Sequence, residues 1–245
     1  KAAGVNVSKQ GGDPNAGFSV NIRGSASITG GTGPLYVVDG VIGVDPTTIN
    51  PDDIASFNVL KDAASTSLYG TQGSNGVIII TTKGGSFGTG KVSDKISIEY
   101  SNYVAFDKVA NRLEFLTGDE LREYAKTTNN ANFKDNGANT DWMDEIYRTG
   151  VSQQHTVAVS KTDENTTYRL SLFTNSLTGV LKGTDKTRNI ARFNIAQKAL
   201  DDKLTISARV SATLEENNYV KYDNGSDPKN VIYQAMRRSP TDPVL

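Results

Sequence analysis

Two patterns of apolar and polar residues divide the 245-residue chain at about residue 93. Before that point the apolar runs are short: 18-FSVNIRG-24, 35-LYVVDGVI-42, 57-FNVLKD-62 and 77-VIIITTK-83. Gly- and Pro-rich punctuation separates them, which predicts short buried strands joined by turns. Between the last two, 62-DAASTSLYG-70 predicts a short helix, capped by Asp62 and ended by Gly70 in a left-handed conformation. Residues 1–93 therefore read as a small mixed α/β domain.

From residue 94 the pattern changes to strict alternation over segments of about ten residues, the period of a strand with two unlike faces. In 95-KISIEYSNYVAF-106, Ile96, Ile98, Tyr100, Val104 and Phe106 share one face, broken only by Asn102; Ser97, Glu99, Ser101 and Tyr103 share the other. The segment 166-TTYRLSLFTNS-176 places Tyr168, Leu170 and Leu172 together. In 203-KLTISARVSATL-214 the apolar set runs from Leu204 to Leu214 in steps of two, opposite Thr205, Ser207, Arg209, Ser211 and Thr213. Two weaker members, 153-QQHTVAVSK-161 and 188-RNIARFNIAQK-198, align Val157 with Val159 and Ala191 with Phe193 and Ile195. These five segments predict antiparallel strands. Short connections, 162-TDEN-165 and 199-ALDD-202, are expected at one end and longer ones at the other. The longest connection carries two helix starts: 117-TGDELREYAK-126, with a Thr117/Glu120 capping box, and 140-TDWMDEIYR-148, with Thr140 as cap.

Composition narrows the function. Twenty-six basic and 27 acidic residues give a net charge of −1 and no electrostatic footprint for nucleic acid. The absence of cysteine removes disulfides and thiolate metal sites, and the single histidine, His155, argues against a zinc centre. No window reaches the ~18–20 apolar residues of a membrane helix, which says nothing against short alternating barrel strands.

Several features imitate chemistry. The segment 85-GSFGTGKV-92 fits G-x-x-x-x-G-K, but Val92 cannot ligate magnesium and a strand follows where a phosphate loop needs a helix, so it reads as a linker. Asp141, Asp144 and Glu145 resemble a glycosidase carboxylate set, yet acidic residues at a helix start are accounted for by the helix dipole. His155 has no nucleophile partner in a recognisable arrangement. Trp142 and Tyr147 offer rings on which a sugar could stack and are the candidate substrate contacts, packing of the loop helix being the competing role. Neither catalytic residues, nor a metal, nor a cofactor is expected.

The order 21-NIRGSASI-28, 35-LYVVDGV-41, 50-NPDDIASFNVLKDAASTSLYGTQGSNGVIIITTK-83 closely resembles the plug domain of SusC/RagA-type TonB-dependent transporters of Bacteroidota outer membranes. The similarity continues through 140-TDWMDEIYRTGVSQQHTVAVS-160 and 179-GVLKGTDKTRNIARFNI-195. It implies a plug over 1–93 and, over 94–245, the first strands and long extracellular loops of a barrel of about 22 strands. Five strands alone would leave open edges in lipid, so the chain is expected to be a fragment of a longer protein, without the family's leader, extension domain and TonB box. The resemblance implies energised import across the outer membrane of an oligosaccharide, or less often a peptide, beneath a SusD-like surface lipoprotein, with TonB acting through a segment outside this chain. The long loop would lie outside the cell and the turns at Asp163 and Asp201 in the periplasm. Gly70, Gly73 and Gly76 are candidates for tight plug turns; Arg23 and Asp39 are candidates for polar bonds that hold the plug or let it rearrange. The competing function is a soluble β-rich carbohydrate-binding or adhesion module, in which the apolar strand face would be hidden in a core rather than shown to lipid.

Overall fold

The computed structural model describes residues 5–9, 12–22, 33–84, 92–222 and 228–244. Arg23 and most of the linker 85–92 lie outside the described residues.

In the N-terminal part, β1 (Asn6–Lys9) and β2 (Phe18–Asn21) form an antiparallel hairpin. A second, four-stranded sheet has the order β4 (Val41–Ile42), β3 (Leu35–Val38), β6 (Val77–Thr82), β5 (Ile54–Leu60). The run Leu35–Ile42 is two strands rather than one. Asp39 and Gly40 take φ of 50° and 88°, the backbone of a tight hairpin turn, and fold Val41–Ile42 back on β3. Strand β6 lies between β3, which runs parallel to it, and β5, which runs antiparallel. Neighbours on both edges explain why Val77–Ile80 is apolar throughout. Ile22, Val38, Ile49, Ile78 and Ile80 form the buried core of this part. The predicted helix is a single turn, α1 (Ala63–Thr66), continued as a 3-10 segment through Gly73.

Strands β7 (Ser93–Asp107), β8 (Gly150–Thr162), β9 (Thr166–Thr178), β10 (Asp185–Ala199) and β11 (Leu204–Asn218) form one antiparallel meander in chain order. Each extends beyond the apolar alternation that predicts it, so the β9–β10 connection shrinks to residues 179–184. The two loops at the same end as that connection, 108–149 and the segment after Asn218, fold together. They carry α2 (Gly118–Thr127), α3 (Trp142–Ile146) and α4 (Val231–Arg237), of which α4 has no counterpart in the sequence reading. The Thr117/Glu120 capping box is present. The cap of α3, however, is Asp141 and not Thr140: its carboxylate accepts from the backbone N–H of Met143 at 3.0 Å and of Asp144 at 3.1 Å. Thr140 instead donates its hydroxyl to the carbonyl of Asp242, at 2.7 Å.

Candidate functional site

Alternation along β7–β11 aims one set of side chains at the N-terminal sheet and the other away from it. On β9, Thr167, Arg169, Ser171 and Phe173 are buried, while Leu170 and Leu172 are exposed. On β10, Ile190, Arg192, Asn194 and Ala196 are buried, while Ala191 and Phe193 point outward. The polar members of the inner face, Arg169, Ser171, Arg192 and Asn194 among them, are met by three carboxylates of the N-terminal domain.

Asp53 ends the 3-10 turn Pro51–Asp53, which Asn50 caps by accepting from the backbone N–H of Asp52. Its side chain is 1% exposed. Arg169 Nε donates to Asp53 Oδ1 at 2.9 Å, and the Ser171 hydroxyl donates to Asp53 Oδ2. Arg169 Nη1 turns to Glu99 on β7, at 3.0 Å, and its buried Nη2 has no partner among the described residues. Neighbouring Asp52 accepts from the hydroxyls of Ser101 at 2.5 Å and Thr156 at 2.6 Å. Burial alone would raise the Asp52 pKa. The hydrogen bonds from Ser101 and Thr156, with the charges of Lys83 and Arg169, outweigh it and hold the carboxyl below the usual carboxylate range.

Asp39, in the β3–β4 turn, is the second anchor. It accepts from the backbone N–H of Thr82 at 2.8 Å and from its hydroxyl at 2.6 Å, at the end of β6. Arg192 Nη2 donates to the same carboxylate at 3.3 Å, and Arg209 Nε lies 3.7 Å from it. Asn194 then bonds Thr82 Oγ1 at 3.2 Å and the carbonyl of Lys83 at 2.9 Å, fixing the end of β6 to β10. Gly84, with φ of 73°, sits directly on Arg169; a Cβ there would collide with the Arg169 Cβ.

The other candidates fall elsewhere. Gly70 and Gly76 have φ of 59° and 95°, and a Cβ on Gly76 would come within 2.9 Å of Ile22 Cδ1; one on Gly73 would come within 2.8 Å of the Thr66 carbonyl. All three shape the turn before β6. Trp142 donates its indole N–H to the Ser239 carbonyl at 2.8 Å and lies under the Arg238 guanidinium, 4.9 Å from its ring centre, so it joins the two long loops. With Phe115, Leu116 and Met236 it lines a groove of about 710 Å³ formed by residues of both loops. Tyr147 lines a different cavity, of about 630 Å³, where Asp13 and Pro14 of the N-terminal domain approach Asp107, Leu181 and Tyr222 at the loop end of the sheet. Arg23 lies outside the described residues.

A domain held by buried carboxylates on the polar face of a long-stranded sheet, whose other face is apolar and exposed, defines the class of plugged β-barrels. Residues 1–77 match the TonB-dependent Receptor Plug Domain family. Over its full length the chain is 36% identical to the TonB-dependent receptor SusC of Bacteroides thetaiotaomicron, of which it covers 24%. It is 31% identical, again over its full length, to the TonB-dependent receptor P26 of Formosa agariphila, of which it covers 24%. Among solved structures, the RagAB peptide importer in its "closed-closed" state superposes with a TM-score of 0.78 at 26% identity, over 94% of this chain and 30% of that one. The chain belongs to the SusC/RagA family of TonB-dependent receptors and spans about a quarter of the length of those curated relatives.

Proposed function

We propose that this chain supplies the plug and first barrel strands of an active importer in the bacterial outer membrane. The cargo is an oligosaccharide captured beneath a SusD-like surface lipoprotein, and TonB provides the work that shifts the plug. The observation that carries the reading is the buried pair Asp53–Arg169, with side chains 1% and 4% exposed, between plug and inner wall. Separating such a pair before water can reach it is costly, so an unassisted plug stays seated and cargo binding alone does not open the pore. The soluble-module reading is disfavoured because it would need a second layer over Ile98, Leu172, Ile206 and Val210, which are 54–74% exposed. The named relatives are receptors and importers, and no catalytic step is assigned.

The test is uptake by cells carrying the full-length receptor. Labelled oligosaccharide should accumulate, the receptor should co-purify in detergent with a surface lipoprotein, and deleting TonB should stop accumulation. Accumulation without TonB by a receptor that purifies alone would overturn the proposal and leave a passive pore.

A further inference from the structure

Two cavities share Tyr222 at the loop end of the sheet. The first, of about 630 Å³, lies where Asp13 and Pro14 of the β1–β2 connection meet Asp107, Tyr147, Leu181 and Tyr222. The second, of about 750 Å³, is lined, apart from Tyr222, by residues of the plug, among them Phe18, Tyr36, Ser8 and Ser19. Both volumes fall in the range of ~300–1,000 Å³ usual for small-ligand sites.

The polar groups around the first cavity are mainly acceptors. Tyr222 donates its hydroxyl to Asp13 Oδ2 at 2.7 Å, and the Asn15 N–H donates to Asp13 Oδ1 at 2.8 Å; Asp13 is 8% exposed. The bond to Asp13 holds the Tyr222 ring and uses the one proton its hydroxyl can donate, so toward an occupant the Tyr222 oxygen accepts. Asp107 closes the inward series of β7 and is exposed, with the Ser152 hydroxyl 3.4 Å away. Neither carboxylate has a Lys or Arg partner among the described residues. In the second cavity no charged side chain lines the space among the described residues, and Phe18 is 64% exposed.

These features define an occupant by its chemistry. It brings hydrogen-bond donors to Asp107 and to the Tyr222 oxygen. It carries no negative charge, because an anion would face two carboxylates. It offers apolar faces to the rings of Tyr147, Phe18 and Tyr36. A sugar ring joins C–H faces to a hydroxyl edge and meets all three conditions, whereas a uronic acid or a sulfated sugar fails the second. We propose that the two cavities bind an uncharged oligosaccharide, Tyr147 and Phe18 stacking on ring faces while Asp107 and the Tyr222 oxygen accept from its hydroxyls. The inference rests on the oligosaccharide reading above and narrows it, placing selection by cargo charge where the plug meets the loops.

The test is calorimetric titration of the full-length receptor in detergent, purified with any lipoprotein that accompanies it. The probes are neutral hexasaccharides of α-glucan, β-glucan, xylan, mannan and fructan, acidic hexamers of galacturonate and alginate, and a tryptic peptide pool. A neutral hexasaccharide should bind and both acidic ones should not. Tyr147→Ala, Phe18→Ala and Asp107→Asn should each weaken binding by about tenfold or more, while Tyr147→Phe, which keeps the ring, should stay within about threefold of wild type. Conductance without TonB as low as that of wild type would verify that the plug is seated in each variant. Tighter binding of an acidic hexamer, no binding of any neutral one, equal losses in Tyr147→Phe and Tyr147→Ala, or TonB-dependent glycan uptake unchanged in all three weakened variants would each overturn the proposal, the last leaving the importer reading intact. Binding of peptides with no glycan bound would sink the oligosaccharide reading itself.

Discussion

Replacing Arg169 by Met would test how the plug is held. Asp53 and Arg169 are almost wholly desolvated, and removing one partner of a buried pair costs about 3–5 kcal/mol because the other charge is left without a counterion. Two features lower that figure here. Asp53 keeps the Ser171 hydroxyl, and the substitution also removes the buried Nη2, partnerless among the described residues, itself a penalty of about 1–3 kcal/mol. The arm to Glu99 adds little, since Glu99 is half exposed. The expected net loss is about 2–3 kcal/mol, equivalent to roughly 30- to 150-fold in the seated-to-displaced ratio. The assay is conductance of the full-length receptor in a planar bilayer without TonB: Arg169→Met should open in proportion, and adding Asp53→Asn should restore most of the closure by removing the stranded charge. Heat-modifiable migration would verify that the barrel itself is intact. Unchanged conductance in Arg169→Met, or a double variant whose loss equals the sum of the two singles, would refute the coupling.

Ile206 should lie in lipid and Ser207 in the lumen, so Ile206→Arg should cost about 2–4 kcal/mol near the bilayer midplane and Ser207→Arg much less, read from denaturant unfolding in lipid vesicles. Gly84→Ala should unseat the plug by more than about 1 kcal/mol through both its positive φ and the contact with Arg169, detected by the same conductance assay. In loop 108–149 the Arg122 side chain and the Gly137 N–H hold Asp135 below its ordinary pKa, and the Thr117 N–H and hydroxyl do the same for Glu120. Their stabilisation is complete above the ordinary carboxylate pKa and is lost as pH falls through the lowered values. Hydrogen-exchange protection in loop 108–149, taken relative to the intrinsic rate at each pH, should therefore stay constant down to about pH 4 and fall below it.

The strands of the wall were legible because a sheet between lipid and polar contents must alternate with period two, and Leu204–Leu214 does so without interruption. Their full length was not, since toward the loop end β8–β10 are polar on both faces and lose the periodic signal. Asp39 stood out locally through its Asp-Gly turn, but its arginine partners are 153 and 170 residues away. Asp53 gave no signal, because in 50-NPDDI-54 it looks like one more turn carboxylate. The hint lay on the other side: Arg169 and Arg209 point inward from the strand pattern, and an inward arginine needs an anion. Thr140 and Asp141 are both good caps by residue type, and the backbone chose the carboxylate.

The division between these two kinds of contact bears on how a plug could move at all. The apolar core of the plug, Ile22, Val38, Ile49, Ile78 and Ile80, is drawn from the plug alone, with no member from β7–β11. The seam with the wall is made of carboxylates, guanidinium groups, hydroxyls and amides. An apolar seam would leave two sticky surfaces in water on release and would cost its full buried area. A polar seam resists the first step, when charges part before water enters, and is then largely compensated by hydration of both halves. The barrier to displacement is thus high while the final cost is modest. That combination suits the proposed transport: a plug that stays shut between events, moves under an applied pull, and returns with its own core intact.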